Sequence, residues 1–262
     1  MSRLKEVFAV VNNKGGVAKT TTCQNLAAAM LRKDKHLNIL LIDLDPQANL
    51  SMLLGWQQNG RTIYDALVSV SSVPVYKSGN GLYYSPSSPL LQNVDIALFR
   101  QMNSKKVLAK CLANEIDNQT GEELTSFEDS FDYIIIDCPP ALGEVTYNAM
   151  AIASELIVPC TLEGLSAAGI KNIMDVAKET TNELNDELQR YRLLPVMVDE
   201  RPTVSRNFLK YFREQYDIFA TTIRRCVKIT EAQTNLQDIY QYKPYCTTAI
   251  DYEQLAEEIL NK

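Results

Sequence analysis

Residues 7–22 read Val7-Phe8-Ala9-Val10-Val11-Asn12-Asn13-Lys14-Gly15-Gly16-Val17-Ala18-Lys19-Thr20-Thr21-Thr22, and this stretch decides the fold. A run of β-formers stops at two asparagines and two glycines, and a helical pattern begins at Lys19. Strand, glycine turn and helix in that order are the layout of a phosphate-binding loop. Gly15 and Gly16 let the backbone bend and come close to an anion. The N-terminus of the following helix offers unpaired N–H groups and the positive end of its dipole to phosphate oxygens. In such a loop Lys19 neutralises β- and γ-phosphates, and the Thr20 hydroxyl ligates Mg²⁺. Lys14 adds a second cation at the loop's start, where a lysine has no obvious packing role.

The bulk properties are those of an ordinary soluble globular protein. A chain of 262 residues with 46% hydrophobic and 22% charged residues is expected to fold as a single domain, 1–262, around a sizeable core. No apolar run approaches the ~20 residues needed to cross a bilayer. The start, Met1-Ser-Arg-Leu-Lys-Glu6, lacks the apolar segment of a secretory signal, so a cytoplasmic location is expected. Six cysteines, at 23, 111, 138, 160, 226 and 246, include no C-x-x-C pair, so zinc spacing is absent. Several lie in apolar runs and suit buried, reduced thiols. The single histidine, His36, falls between a helix and a strand, which argues against histidine catalysis.

Net charge is −6, but its distribution is uneven. Residues 111–132 carry Glu115, Asp117, Glu122, Glu123, Glu128, Asp129 and Asp132 with no Lys or Arg. Residues 201–228 carry Arg201, Arg206, Lys210, Arg213, Arg224, Arg225 and Lys228 against Glu214 and Asp217.

Outward from the loop, the patterns alternate. An apolar stripe at Leu26, Ala27, Met30 and Leu31 predicts a helix over 19–33, with Arg32 and Lys33 near its negative end. Leu37 to Ile42 reads as a strand whose continuous apolar run suits a sheet covered on both faces. It ends in Asp43-Leu-Asp45-Pro-Gln-Ala-Asn49, and ligands of open α/β sheets sit beyond such carboxyl ends. A short helix follows Thr62, a strand lies near 81–86, a helix spans Asn103 to Ile116, and 114–130 is expected to be a solvated loop. Phe131-Asp-Tyr-Ile-Ile-Ile-Asp137-Cys-Pro-Pro140 is a buried strand ending in a carboxylate. Strands at 155–159 and 192–198 and helices at 165–188, 203–216 and 251–260 complete the chain. The class is α/β, with a mostly parallel central sheet and helices on both faces.

The strict pattern G-x-x-x-x-G-K-[ST] fails at both glycines, where Asn13 and Ala18 stand. Lys14-Gly-Gly-x-x-Lys19-Thr20 instead resembles the deviant Walker A motif, usually KGGVGKT, of the ParA/MinD group of P-loop ATPases. Ala18 departs from the usual Gly and suits the position only where φ stays negative. Asp43-x-Asp45-Pro-Gln-Ala-Asn49 is similar to the Walker A′ element of ParA proteins. The 131–140 stretch resembles Walker B, with Cys138 at the variable place. Ile223-Arg-Arg-Cys-Val-Lys-Ile-Thr-Glu-Ala232 resembles the family's I-P-R-x-V-x-[LI]-x-E-A, with Arg224 replacing Pro. Leu194 to Asp199 resembles the strand whose end lies near adenine, and Tyr242-Lys-Pro-Tyr245 the G-K-P segment. The likeness spans nearly the whole chain and is weakest over 55–130. It points to ParA/Soj-type partition ATPases of the short form, without an N-terminal helix-turn-helix.

The resemblance implies ATP and Mg²⁺ as cofactors, bound along Lys14, Gly15, Gly16, Val17, Ala18, Lys19, Thr20 and Thr21. It implies that Asp45 activates the attacking water, and that Thr20, Asp43 and Asp137 serve the Mg²⁺ shell. Lys14 would act in trans across an ATP-bound homodimer, as an arginine finger does elsewhere. The dimer would bind DNA without sequence preference, with Arg201, Arg206, Arg224, Arg225 and Lys228 as candidates. A ParB-type adaptor would stimulate an otherwise weak ATPase, driving plasmid or chromosome partition from a nucleoid-associated, cytoplasmic pool. A positioning ATPase for a protein cargo would differ only in its adaptor. A MinD-like membrane regulator would need a basic amphipathic C-terminal helix, and residues 251–262 are acidic. A nitrogenase-type reductase would need cluster-ligating cysteines in glycine contexts that are missing here. The tyrosines at 240, 242 and 245 precede a helix, which favours packing over a kinase-type tyrosine cluster.

Overall fold

The three apolar strands foreseen around the loop lie side by side at the middle of one sheet. In the computed structural model, which describes residues 3–161, 167–199, 210 and 212–261, β1 (Glu6–Val10) is flanked by β6 (Tyr133–Asp137) and β7 (Glu155–Thr161). β2 (Ile39–Asp43) lies on the other side of β6. With β3 (Pro74–Lys77), β4 (Tyr83–Ser85), β5 (Asp117–Asn118), β8 (Arg190–Val198) and β9 (Ile223–Arg224), the order is β5-β3-β4-β2-β6-β1-β7-β8-β9. Every pairing is parallel except β3 with β4.

Side-chain alternation explains why the central strands are apolar between their ends. Successive residues of a strand point to opposite faces. On β1, Val7 and Ala9 enter one core layer and Phe8 and Val10 the other. Ile134 and Ile136 oppose Tyr133 and Ile135 on β6 in the same way. The first layer is closed by α3 (Ile63–Ser69), α4 (Val94–Phe99), α5 (Val107–Leu112), α7 (Glu144–Met150) and α8 (Ala167–Glu183). The second is closed by α1 (Lys19–Lys33) and α11 (Thr247–Leu260), through Leu26, Met30, Tyr252, Leu255 and Ile259. Arg32–Glu253 and Lys33–Glu257 ion pairs tie these two helices along their exposed edge. Further helices among the described residues include α2 (Asn49–Leu53), α6 (Phe127–Ser130), α9 (Val227–Thr234) and α10 (Ile239–Tyr242). No helix among the described residues is long and apolar enough to cross a membrane.

Three expectations need correction. The helix foreseen over Asn103–Ile116 is α5 alone, preceded by a 3-10 turn at Ser104–Lys106. Asn103 adopts φ +60° and interrupts entry to the helix, and β5 draws the chain out to pair with β3. The acidic stretch 114–130 is not simply solvated, because it contains β5 and α6. Its acids also fold back on bases, with Asp117 2.6 Å from Arg61 and Glu122 2.5 Å from Lys77. The last helix starts at Thr247, four residues before the expected 251. The helix foreseen over 203–216 lies largely outside the described residues; within it, 212–215 are helical.

Candidate functional site

The phosphate-loop candidates meet at the carboxyl ends of β1, β2 and β6. Asn12 braces the loop, since its side-chain amide donates to the Pro159 carbonyl (2.7 Å) and its oxygen accepts from the Lys14 N–H (2.9 Å). Gly16 has φ +71°, and a Cβ built on Gly15 or Gly16 would meet nothing within 4 Å. The loop backbone therefore faces open space. Ala18 caps α1 with φ +61°, so the condition of a negative φ set for alanine at this position is not met. No side chain caps α1, and its first turn carries no acid, so the helix N-terminus is left to an external anion. Ala48, the cap of α2, is also left-handed, with φ 53°.

A cleft of about 480 Å³ opens over this loop. Gly15, Gly16, Val17, Ala18, Lys19, Thr20 and Thr21 line one side. Asp45, Pro140, Met197, Gln233 and Leu236 close the others. Lys19 is buried, its ammonium 3.3 Å from the Lys14 carbonyl, whereas Lys14 itself is exposed. Among the described residues the ammonium has one neutral hydrogen-bond acceptor, with the Asp137 carboxyl near enough to interact with it.

The three carboxylates behave differently. Asp43 is fully engaged: Oδ1 accepts from the Asp45 N–H (3.1 Å), and Oδ2 accepts from the Ser51 N–H (2.9 Å) and hydroxyl (2.6 Å). Ser51 in turn accepts from the Ser87 N–H (2.8 Å), and the Ser87 hydroxyl donates to the Asp45 carbonyl (2.6 Å). Burial raises the Asp43 carboxyl to about 7 against these hydrogen bonds. Asp45 accepts from the Gln47 N–H (2.9 Å) and borders the cleft. Asp137 is buried, and neither of its oxygens has a hydrogen-bond partner among the described residues. Burial pushes its carboxyl well above the ordinary value and the Asp43 charge adds to this, while the nearby Thr20 hydroxyl and Lys19 ammonium oppose it. An orphaned buried carboxylate costs several kcal/mol unless something cationic meets it. A divalent ion beside Thr20 and Asp137 fits that requirement, since hard cations take oxygen ligands.

The basic candidates do not form one free patch. Arg201 and Arg206 lie outside the described residues. Arg224 is held by Asp251, which is 2% exposed, through contacts of 2.5–3.1 Å. Lys228 pairs with Glu231 at 2.8 Å. Arg225 is exposed and has no ion-pair partner among the described residues.

Several contributors were not foreseen. Asn12, Ser51 and Ser87 act through contacts that no local pattern announces. Gln233, whose amide donates to the Thr21 hydroxyl at 2.9 Å, follows directly after the Glu-Ala end of the 223–232 motif, which offered a hint.

This fold and loop define a P-loop nucleoside triphosphatase. A family described as "AAA domain" (AAA_31) matches residues 5–190. The Chromosome-partitioning ATPase Soj of Treponema pallidum is 33% identical over 257 residues, covering 95% of each chain. The Sporulation initiation inhibitor protein Soj of Bacillus subtilis is 29% identical over 97% of this chain and 98% of its own. A solved Cobyrinic Acid a,c-diamide synthase from Mycobacterium smegmatis, with bound ATP analog and magnesium, superposes with a TM-score of 0.81 at 27% identity, covering 98% of this chain and 95% of that one. The chain belongs to the ParA/Soj family of P-loop ATPases. ATP and Mg²⁺, expected from the sequence, are the ligands of this class of site, and the residues present fit them.

Proposed function

We propose that the chain is a single P-loop ATPase domain, 1–262, that dimerises on ATP, binds DNA without sequence preference and drives partition of plasmid or chromosomal DNA. The observation that carries the ATPase reading is Asp137, a buried carboxylate with no hydrogen-bond partner among the described residues, beside Lys19 and Thr20. Partition is supported by the Soj relative matched over 95% of both chains.

In this reading Lys19 and the α1 N-terminus hold the phosphates, and Thr20 and Asp137 hold the metal. The bound Mg²⁺ would offset phosphate charge as the γ-phosphoryl leaves. Asp45 orients the attacking water, and Asp43 sets the position of Asp45 through the Ser51–Ser87 network. Lys14, exposed at the loop's start, reaches across to the partner subunit's nucleotide. ATP then favours the dimer by its differential affinity for that state. Arg225 is the DNA contact retained from the basic group, with Arg201 and Arg206 as further candidates. A ParB-type adaptor raises a weak basal rate, and the protein works in the cytoplasm on the nucleoid. Packing of Tyr252, Leu255 and Ile259 against α1 speaks against a membrane role for α11.

The test is binding to a random-sequence DNA duplex with Mg²⁺-ATP, with ADP and without nucleotide, at two salt concentrations. ATP-dependent, salt-sensitive binding is expected. Intact ATP hydrolysis with no DNA binding in any state would remove DNA as the track.

A further inference from the structure

A surface segment outside the cleft combines exposed apolar side chains with positive charge. Residues 86–112 carry Arg100, Lys105, Lys106 and Lys110 against a single acid, Asp95, in a chain whose net charge is −6. The same segment exposes Leu90, Ile96, Phe99 and Met102 by 59%, 61%, 69% and 84%. Ten large apolar side chains are exposed among the described residues, and four of them fall between 90 and 102. Single exposed apolar residues are ordinary, but a cluster marks a contact surface.

The local fold turns these side chains outward. Leu91, Val94 and Leu98 recur at i, i+3 and i+7 and enter the first core layer, which commits the inner face of the 3-10 turn Pro89–Asn93 and of α4. Ile96 and Phe99 fall on other faces of α4. Asn103, at φ +60°, then ends the turn and leaves Met102 in water. Cations stand around them. Arg100 follows Phe99 directly and is exposed. The Lys110 ammonium donates to the Met102 carbonyl (2.7 Å). Lys105 lies 4.1 Å from the centroid of the Tyr147 ring and 4.0 Å from Glu179. Arg100 and Lys106 have no ion-pair partner among the described residues.

The patch borders the cleft without forming part of it. The Ser87 hydroxyl donates to the Asp45 carbonyl (2.6 Å), and a Cβ built on Gly143 would meet Asp95 Oδ2 at 2.8 Å. The segment therefore runs beside the turns that follow β2 and β6, while none of its residues lines the cleft.

We propose that this patch docks an acidic amphipathic segment of another protein. Phe99 and Met102 are the apolar anchors, and Arg100, Lys106 and Lys110 meet the segment's carboxylates. Charge selects this occupant. A second copy docked by the same patch would set four bases against four with only the two Asp95 carboxylates to offset them, and like charges across an interface are costly. Duplex DNA would use the cations and leave the four apolar side chains in water. A bilayer surface takes a continuous amphipathic helix, whereas α4 ends at Phe99 and the apolar face of α5, with Val107, Leu108 and Cys111, is buried in the core. A segment with apolar side chains at helical spacing and Asp or Glu on its flanks satisfies both halves of the patch. The proposal stands apart from the nucleotide reading.

The experiment titrates the full chain, without nucleotide, into a dye-labelled peptide of about 18 residues, long enough to hold a helix. The peptide has Leu at i, i+3, i+4 and i+7, with Glu and Ala elsewhere. Fluorescence anisotropy should show saturable binding that weakens with salt. An isomer of the same composition with its leucines dispersed around the helix should bind roughly tenfold more weakly. The double variants Phe99→Ser/Met102→Ser and Arg100→Glu/Lys106→Glu should each lose about as much, at a thermal midpoint near the parent's. Equal affinity for the two isomers, or no loss in either variant, would overturn the proposal. Self-association of the parent that Phe99→Ser abolishes would overturn it in favour of a second copy. Binding of the parent to phosphatidylserine vesicles that Phe99→Ser abolishes would overturn it in favour of a membrane. With no nucleotide present, failure of the nucleotide reading would leave each of these outcomes unchanged.

Discussion

Asp43 and Asp137 are register partners on the adjacent parallel strands β2 and β6, yet their carboxylates are in opposite states. Asp43 has three protein hydrogen bonds, and Asp137 has none among the described residues. Equivalent strand positions therefore separate two roles. One carboxylate organises the 43–51 turn, and in the proposed reading the other would meet a cation. This narrows the sequence expectation that both serve the Mg²⁺ shell, because the oxygens of Asp43 are occupied by the backbone and Ser51.

An unpaired buried carboxylate destabilises the protein that carries it without ligand. Asp137→Ala should raise the thermal midpoint of the ligand-free protein and abolish the further rise given by Mg²⁺-ATP. For the parent that rise corresponds to ~2.7 kcal/mol at a hundredfold excess over Kd. Thermal denaturation with and without Mg²⁺-ATP checks both halves. A ligand-free variant less stable than its parent would contradict the account.

Ala18 occupies the left-handed region, where a Cβ costs about 1–2 kcal/mol. Glycine removes that strain but adds about 0.4–1 kcal/mol of unfolded-state entropy. Ala18→Gly should therefore stabilise the protein by ~0.5–1 kcal/mol. Denaturant unfolding at unchanged m-value would read this directly.

Asp45 borders the cleft, and its N–H is fixed by Asp43. Asp45→Ala should lower ATP turnover roughly 100-fold or more while leaving ATP affinity nearly unchanged. Single-turnover hydrolysis with separately measured binding distinguishes the two. Normal turnover would remove Asp45 from the water-orienting role.

Charge reversal separates neighbours that look alike in sequence. Arg224→Glu leaves the buried Asp251 unpaired and facing a like charge, and should cost about 3–5 kcal/mol of stability. Arg225→Glu should leave stability and ATP binding intact, weaken DNA binding and reduce its salt slope by ~1 for each phosphate no longer neutralised. Denaturation and fluorescence titrations with a DNA duplex would report the two effects.

The central sheet was legible because β1, β2 and β6 are buried on both faces and are apolar between their ends. The loop was legible because glycines and lysines between a strand and a helix have few other uses. Long-range contacts were not. That Ser51 and Ser87 link Asp43 to Asp45 depends on where α2 and the 85–87 segment fold back, and no spacing encodes it. Arg224 read as a free cation because its partner, Asp251, lies 27 residues away. The 103–118 region misled because a helical apolar pattern says nothing about an edge strand that claims the next residues.

The most direct test of the account is Mg²⁺-ATP binding by isothermal titration to the parent chain and to Lys19→Ala. Lys19 is buried at the loop with only the Lys14 carbonyl as its hydrogen-bond acceptor among the described residues, so phosphate charge should complete its surroundings. The account predicts saturable, Mg²⁺-dependent binding to the parent and loss of binding in the variant. Equal affinity in both would contradict the assignment of this cleft as the nucleotide site.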